Sequence, residues 1–350
     1  MAGKSGREIS IESPKKPINY LVSWEGMILI LFILINIFCK FISPVYTLGN
    51  VLREMPKYLT EIFLLFPMAY ILLMGEIDIS VGSTVCLAAT TSCLAANAGM
   101  PIGMVVLVGL ATGTICGLIN GLLTIKFREL PTMIITLGTQ IVFRGIAEVV
   151  LGEGGSVSLS NSEGFKLLAT KIKVWGDSPK NTVAVPVMLV IVIICAVIFT
   201  LVAEKKVYGR NLYAIGSNSK TAFYSGIKVN NMLLSAYTLL GFFAGVSALF
   251  LTSATYGANT TTGKGFEMDA IAMAVFGGIS TNGGKGKMIG AIISAFTIVC
   301  LRVGLGQINM NPQVVLIILG MLLICAVLLP NIAQIISDKK KKAARAAKAN

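Results

Sequence analysis

Two carboxylates and a hydroxyl alternate with apolar residues in Met74-Gly75-Glu76-Ile77-Asp78-Ile79-Ser80-Val81-Gly82-Ser83, between the apolar runs 62–74 and 81–96. Glu76, Asp78 and Ser80 offer acceptors for a polar solute or a proton, or for the free N–H groups that open a helix. A carboxylate at the bilayer centre costs about 2.5–3.5 kcal/mol on insertion scales. These residues therefore mark either a break in a crossing or a working site. The glycines and the polar run favour a break over 75–80, with Asp78 or Ser80 capping the helix that follows. Direct solute contact and proton coupling remain open for Asp78.

Two further stretches interrupt apolar runs. Val275 to Gly290, "VFGGISTNGGKGKMIG", contains Gly277, Gly278 and Asn282, and Tyr256 to Ala270, "YGANTTTGKGFEMDA", carries Glu267 and Asp269. Short, glycine-interrupted segments in both halves of a transporter point to its transport path. Non-helical backbone at membrane depth is tolerated only where protein or water covers it. Glu267 and Asp269 are two apart and point to different helix faces, which suits an entry cap or an outer rim. Arg144 and Glu148 are four apart, so the spacing predicts a structural ion pair.

Catalysis is excluded on residue types. There is no histidine, so neither an imidazole metal site nor a histidine base exists, and no nucleophile stands at useful spacing from a base. The seven cysteines lie in or beside apolar runs without a C-x-x-C pair, and read as small buried hydrophobes rather than metal ligands. No G-x-x-x-x-G-K-[S/T] occurs. The nearest approach, "GGISTNGGKGKM", has the wrong spacing and puts Met288 where a hydroxyl would hold Mg²⁺. The chain is expected to need no cofactor and to draw energy from a partner or an ion gradient.

Composition names the elements that hold these residues. Of 350 residues 55% are hydrophobic and 13% charged, with mean hydropathy +0.81, far from the roughly 25% charged of soluble domains. Apolar runs near the 20 residues a helix needs to span hydrocarbon predict an all-α polytopic membrane protein. Ten segments are expected: 24–42, 62–74, 79–97, 102–123, 131–151, 183–203, 232–256, 267–281, 287–306 and 311–330. The second and eighth are shorter than a span, and breaks fall near 75–80 and 275–287. The first is read as an uncleaved helix, since no small-residue cleavage site follows it. With both termini in the cytoplasm, 19 of the 29 Lys and Arg lie inside, seven outside and three in or at the ends of runs, the asymmetry of the positive-inside rule. The chain then divides into a cytosolic segment 1–23, a permease domain 24–330 and a basic cytosolic tail 331–350. Its charge of +13 serves topology and contact with anionic lipid. Its scattered distribution gives no sign of a nucleic-acid partner.

Gly109, Gly113, Gly117 and Gly121 form one stripe at four-residue spacing, and Gly241 and Gly245 another. Such stripes let a second backbone approach, within one chain or across a dimer. In the loop 204–231, Gly216 is expected to break the chain, Ser217 or Asn218 to cap a short helix and Gly226 to end it. Ala222 and Phe223 on that helix are apolar in a cytosolic loop and need a cover, from the membrane domain or from a partner.

Four stretches in order carry a family resemblance: "EIDISVGS" (76–83), "GLINGLLTIKFRELPTMIITLGTQIVFRGIA" (117–147), "YGRNLYAIGSNSKTAFYSGIKVN" (208–230) and "GKGFEMDAIAMAVFGGISTNGGKGKMIGA" (263–291). With the spans between them they cover roughly residues 60–330. The chain resembles the membrane permease subunit of bacterial sugar ABC importers, the ribose, galactose, xylose and autoinducer-type group. Glu76 stands where glycine is commoner and Met273 where alanine is. The resemblance implies import of a monosaccharide-like solute across the bacterial inner membrane. It implies as partners an extracytoplasmic sugar-binding protein, ABC ATPase subunits and a second permease chain. It assigns ATPase docking to the loop bearing Arg210, Gly216, Asn218, Ala222, Phe223 and Gly226. The alternative is an ion-coupled secondary transporter using its intramembrane carboxylates.

Overall fold

The computed structural model describes residues 23–159, 163–175, 183–322 and 324. The expected N-terminal segment, apart from Ser23, and the basic tail lie outside them. Helix α1 (Trp24–Ile42) opens at Ser23, whose hydroxyl accepts from Gly26 N–H at 3.2 Å. There follow α2 (Leu48–Glu54), α3 (Pro56–Leu73), α4 (Val81–Asn97), α5 (Ile102–Lys126) and α6 (Thr132–Leu151). Residues 152–186 hold strand β1 (Ser156–Ser158), the short helix α7 (Glu163–Leu168) and the hairpin strands β2 (Lys171–Trp175) and β3 (Val183–Pro186). Next come α8 (Val187–Lys205), α9 (Val207–Ser217), α10 (Ser219–Tyr224), α11 (Val229–Thr255) and strand β4 (Gly257–Asn259), which pairs antiparallel with β1. The described chain continues with α12 (Phe266–Phe276), α13 (Met288–Gln307) and α14 (Pro312–Leu322). Among the described residues seven helices are long and apolar enough to cross a membrane. The protein is all-α and polytopic, apart from two small two-stranded sheets.

One expected segment is corrected. The second segment, expected over 62–74 and shorter than a span, is longer: α3 runs 18 residues from Pro56 and takes in Lys57 and Glu61. Glu61 is tolerated inside because Arg302 of α13 donates to its Oε2 at 2.6 Å, while the other guanidinium nitrogen reaches Asp269 of α12 at 2.5 Å. All three elements are thereby tied at one buried ion cluster. The eighth segment is short as expected, since α12 has 11 residues.

Helix α3 is the core. Every residue from Leu59 to Leu73 is buried, the sign of a helix apolar on all sides and enclosed by others. Aromatic rings lock it to its neighbours: Phe63 stacks on Phe250 of α11 at 5.3 Å, and Phe66 on Phe199 of α8 at 5.4 Å. Its polar atoms are also used, as Tyr70 donates to the Phe199 carbonyl at 2.6 Å and Ser247 donates to that of Thr60 at 2.9 Å.

The glycine stripe of α5 meets α11 of the same chain, the most extensive helix contact in the fold. A Cβ on Gly113 would stand 2.3 Å from the Gly241 carbonyl oxygen, and one on Gly117 2.3 Å from that of Tyr237. Gly109 faces Ser92 and Leu249, and Gly121 faces Leu234. Two backbones close to this distance maximise dispersion contacts where no hydrophobic effect assists. Gly138 on α6, by contrast, has nothing within 4 Å of a Cβ. Gly113→Leu is expected to destabilise the purified chain by about 1–3 kcal/mol or more, and Gly138→Leu by less than about 0.5 kcal/mol. Thermal unfolding of both variants in one detergent checks this, and equal losses would contradict the packing argument.

Candidate translocation site

The break after α3 begins at Gly75, whose φ of +81° suits glycine alone among common residues. The break between α12 and α13 (277–287) comes to the same place, where Gly284 N–H donates to the Leu73 carbonyl at 2.8 Å. Helix α9 closes the junction. A Cβ on Gly216 would lie 1.9 Å from the Leu73 oxygen, and one on Gly283 2.9 Å from the Gly216 Cα and 2.7 Å from Gly75 N. Tyr213 of α9 donates to the Gly286 carbonyl at 2.9 Å. The backbone carbonyl of Asn282 faces Gly75, while the Asn282 residue is exposed. Gly277 packs on Ala291 with no room for a side chain, and Gly278 (φ +91°) lies against the Trp24 indole. Trp24 Nε1 donates to the Phe276 carbonyl at 3.2 Å.

The loop 204–231 is therefore more structured than expected. Gly216 does not break the chain. It lies inside α9, where its missing side chain admits the Leu73 carbonyl. Asn218 does cap α10, its side chain accepting from Thr221 N–H at 2.9 Å, and Gly226 (φ +85°) follows the helix. Ala222 is 3% exposed, covered by the chain's own core, whereas Phe223 is 63% and Tyr224 85% exposed. Arg210 is exposed. Of the two expected apolar residues, Ala222 is covered by the chain itself and Phe223 stands open.

Above the junction lies a buried polar cluster. Asp78 is 2% exposed, and its Oδ1 accepts both the N–H and the hydroxyl of Ser80, each at 2.7 Å. Asn120 of α5 donates to Asp78 Oδ2 at 3.3 Å and to Ser80 Oγ at 2.6 Å. Ser80 occupies the N-cap position of α4, but its side chain accepts no capping bond. Asp78 binds the N–H of that cap residue rather than those of the first turn. The expected capping of α4 by Asp78 or Ser80 is therefore not made: the carboxylate closes the turn at Ser80 and fastens the loop to α5 instead. Helix α6 contributes two hydroxyls: Thr136 accepts from Ile79 N–H at 3.2 Å, and Thr132 donates to Glu76 Oε2 at 2.8 Å.

The third break, 256–265, folds down onto the first turn of α4, where the Gly82 carbonyl and Val85 leave no room for a side chain on Gly263. Arg144 holds this loop, donating to the carbonyls of Thr260 at 3.1 Å and Thr262 at 2.8 Å. The expected Arg144–Glu148 pair is not among the ion pairs of the described residues. Two fixed carbonyls outcompete the exposed Glu148, whose pairing at i,i+4 is worth only about 0.2–0.5 kcal/mol. Glu267 is buried beside Gly82, and Asp269 belongs to the Arg302 cluster. The described residues hold no group of three or more potential metal ligands.

Asn120, Thr132, Thr136, Glu61 and Arg302 were not singled out from sequence. An arginine deep in an apolar run demands a carboxylate partner, and that signal could have led to Glu61. The threonines carried none, since threonine in a membrane helix commonly bonds its own preceding turn.

Asp78→Asn is expected to keep most stability, costing about 1 kcal/mol. The amide oxygen still accepts from Ser80, and Asn120 can flip, because its Oδ1 has no partner. Asp78→Leu removes the acceptor of the Ser80 N–H and of the Ser80 hydroxyl, at about 1–3 kcal/mol each, leaves the Asn120 amide only its bond to Ser80 Oγ, and should lower folded yield sharply. Loss of uptake in Asp78→Asn at normal yield would instead assign the charge a direct part in transport.

Comparison with known proteins agrees with this architecture. The family model described as branched-chain amino acid transport system / permease component matches residues 58–327. The autoinducer 2 import system permease protein LsrD of Escherichia coli (strain K12) is 34% identical over 261 residues, covering 75% of this chain and 77% of that protein. LsrD of Shigella flexneri matches to the same extent. No solved structure matches the chain. Permease subunits of this kind carry no ATPase of their own. The chain belongs to this permease family, and is the membrane-spanning component of a binding-protein-dependent ABC importer.

Proposed function

We propose that the chain imports a neutral monosaccharide-like solute, the class that its resemblance to the sugar ABC importers implies; the relative LsrD is named for import of autoinducer 2. In this reading the face bearing α9, α10 and both breaks lies in the cytoplasm, together with the two termini. An ATPase subunit docks on α9 and α10, a binding protein delivers solute at the opposite face, and a second permease chain completes the path. The observation that carries the reading is the glycine junction. The docking segment touches both membrane breaks through backbone atoms at Leu73, Gly75, Gly216 and Gly284, so displacement of α9 is passed to them without slack. The basic residues Lys205, Lys206, Arg210, Lys285 and Lys287 gather on this face, as a cytoplasmic surface requires. Lys287 pairs with Glu25 at 3.0 Å, and anionic lipid at the same surface supplies counter-charge to the others.

The docking test follows from the exposures. Ala222→Asp would injure the chain's own packing, so Phe223 and Tyr224 are the informative positions. Phe223→Asp should leave folded yield intact and lower ATPase retention on purification by two to three decades, about 3–4 kcal/mol of contact. ATP-driven uptake into proteoliposomes should fall in parallel. Full retention and uptake in Phe223→Asp and Tyr224→Asp alike would place the docking surface elsewhere. Uptake driven by an ion gradient without ATP would defeat the importer reading itself.

A further inference from the structure

A cavity of about 320 Å³ opens beside the first break, on the side of the glycine junction, at the small end of the roughly 300–1,000 Å³ range of ligand pockets. Glu76, Thr124, Arg128, Glu129, Leu130 and Thr132 line it. Thr124 is 1% exposed and its hydroxyl has no partner. One helical turn deeper on α5, behind the lining, Asn120 Oδ1 is also buried and unpartnered. Polar atoms left unpaired in a protein interior are costly. The Thr124 hydroxyl favours a guest that both donates and accepts hydrogen bonds.

We infer that this cavity is a solute subsite at the cytoplasmic mouth of the pathway, built for an uncharged polyhydroxylated molecule. The inference rests on the proposed orientation and solute class. Each hydroxyl of such a solute donates and accepts at once, so it can satisfy the Thr124 hydroxyl, which also does both. Glu76, already held by Thr132, keeps lone pairs for a further hydroxyl. The charge of the lining sets selectivity: Glu76 and Glu129 outnumber Arg128, so the site is net negative and repels an anion.

The test uses the full chain in membranes with its ATPase, carrying Leu130→Cys at a position 49% exposed. Maleimide labelling of that thiol is followed with D-ribose, D-xylose, D-galactose or ribose phosphate present, against the parent chain as background. At least one neutral sugar should slow labelling saturably, and ribose phosphate should not. Glu76→Gln and Thr124→Val should each raise the half-protecting concentration about tenfold, the effect of one lost hydrogen bond of about 1.4 kcal/mol. Thr124→Val nearly preserves side-chain shape, so it remains informative if Glu76→Gln folds poorly. Uptake of the same sugars is measured separately. Absence of uptake for all three undermines the solute class, whereas normal uptake of a sugar that gives no protection overturns the subsite and leaves a water-filled cavity. Equal protection by ribose phosphate, or protection unchanged in both variants, overturns it as well.

Discussion

The hydrogen bond from Gly284 N–H to the Leu73 carbonyl, 2.8 Å long, carries more of this structure than its size suggests. The Leu73 carbonyl belongs to the last turn of α3, where the helix offers it no partner, and Gly284 lies in the break between α12 and α13. A buried N–H or carbonyl left unpaired costs about 1–3 kcal/mol. Two breaks placed back to back satisfy one another, provided nothing but backbone stands between them. That condition excludes side chains at Gly75, Gly216 and Gly283, and it brings α9 into the same contact. The segment proposed to dock the ATPase and two interruptions of the membrane domain become one mechanical unit.

The same constraint, that polar groups in hydrocarbon must find partners inside the chain, explains the other two polar clusters. Asp78 is held by Ser80 and Asn120 without a cation beside it in this network, and so works as a hydrogen-bond hub. Arg302 balances Glu61 and Asp269 across three helices. Buried pairs of this kind contribute little net stability over apolar packing, but removing one member is severe, because the other charge stays behind. Their value is to set the rotation and register of α3, α12 and α13, which apolar surfaces alone leave loosely determined.

Transport needs a molecule that is rigid in one place and yielding in another. The rigid part is α3 with its aromatic contacts and the α5–α11 glycine interface, where backbones touch and no rotamer change is available. The yielding parts are three glycine-rich breaks, each secured by a few hydrogen bonds, such as the two that Arg144 makes to the loop 256–265. Motion at α9 reaches two of these breaks directly, and the polar cluster above them is hung from the first.

The order of residues along the chain was enough for the all-α membrane class, the positions of the breaks, the short α12 and the closeness demanded by the glycine stripe. Each follows from a local rule: hydropathy over a helix length, glycine where φ is positive, small residues where backbones meet. Asn218 as a cap was legible for the same reason. Tertiary structure alone decided what each polar group answers to. Glu61 looked like the end of an apolar run until Arg302, 241 residues away, proved to neutralise it. Arg144 had a partner at the right helical spacing and chose the carbonyls of a distant loop instead. Gly216 read as a helix breaker and is a helix residue shaved flat for a carbonyl. Ala222 and Phe223, adjacent and both apolar, were separated into covered and exposed by the direction of α10. In each case the deciding energy is desolvation of a polar or apolar group by a segment far away in sequence, a quantity that no local pattern encodes.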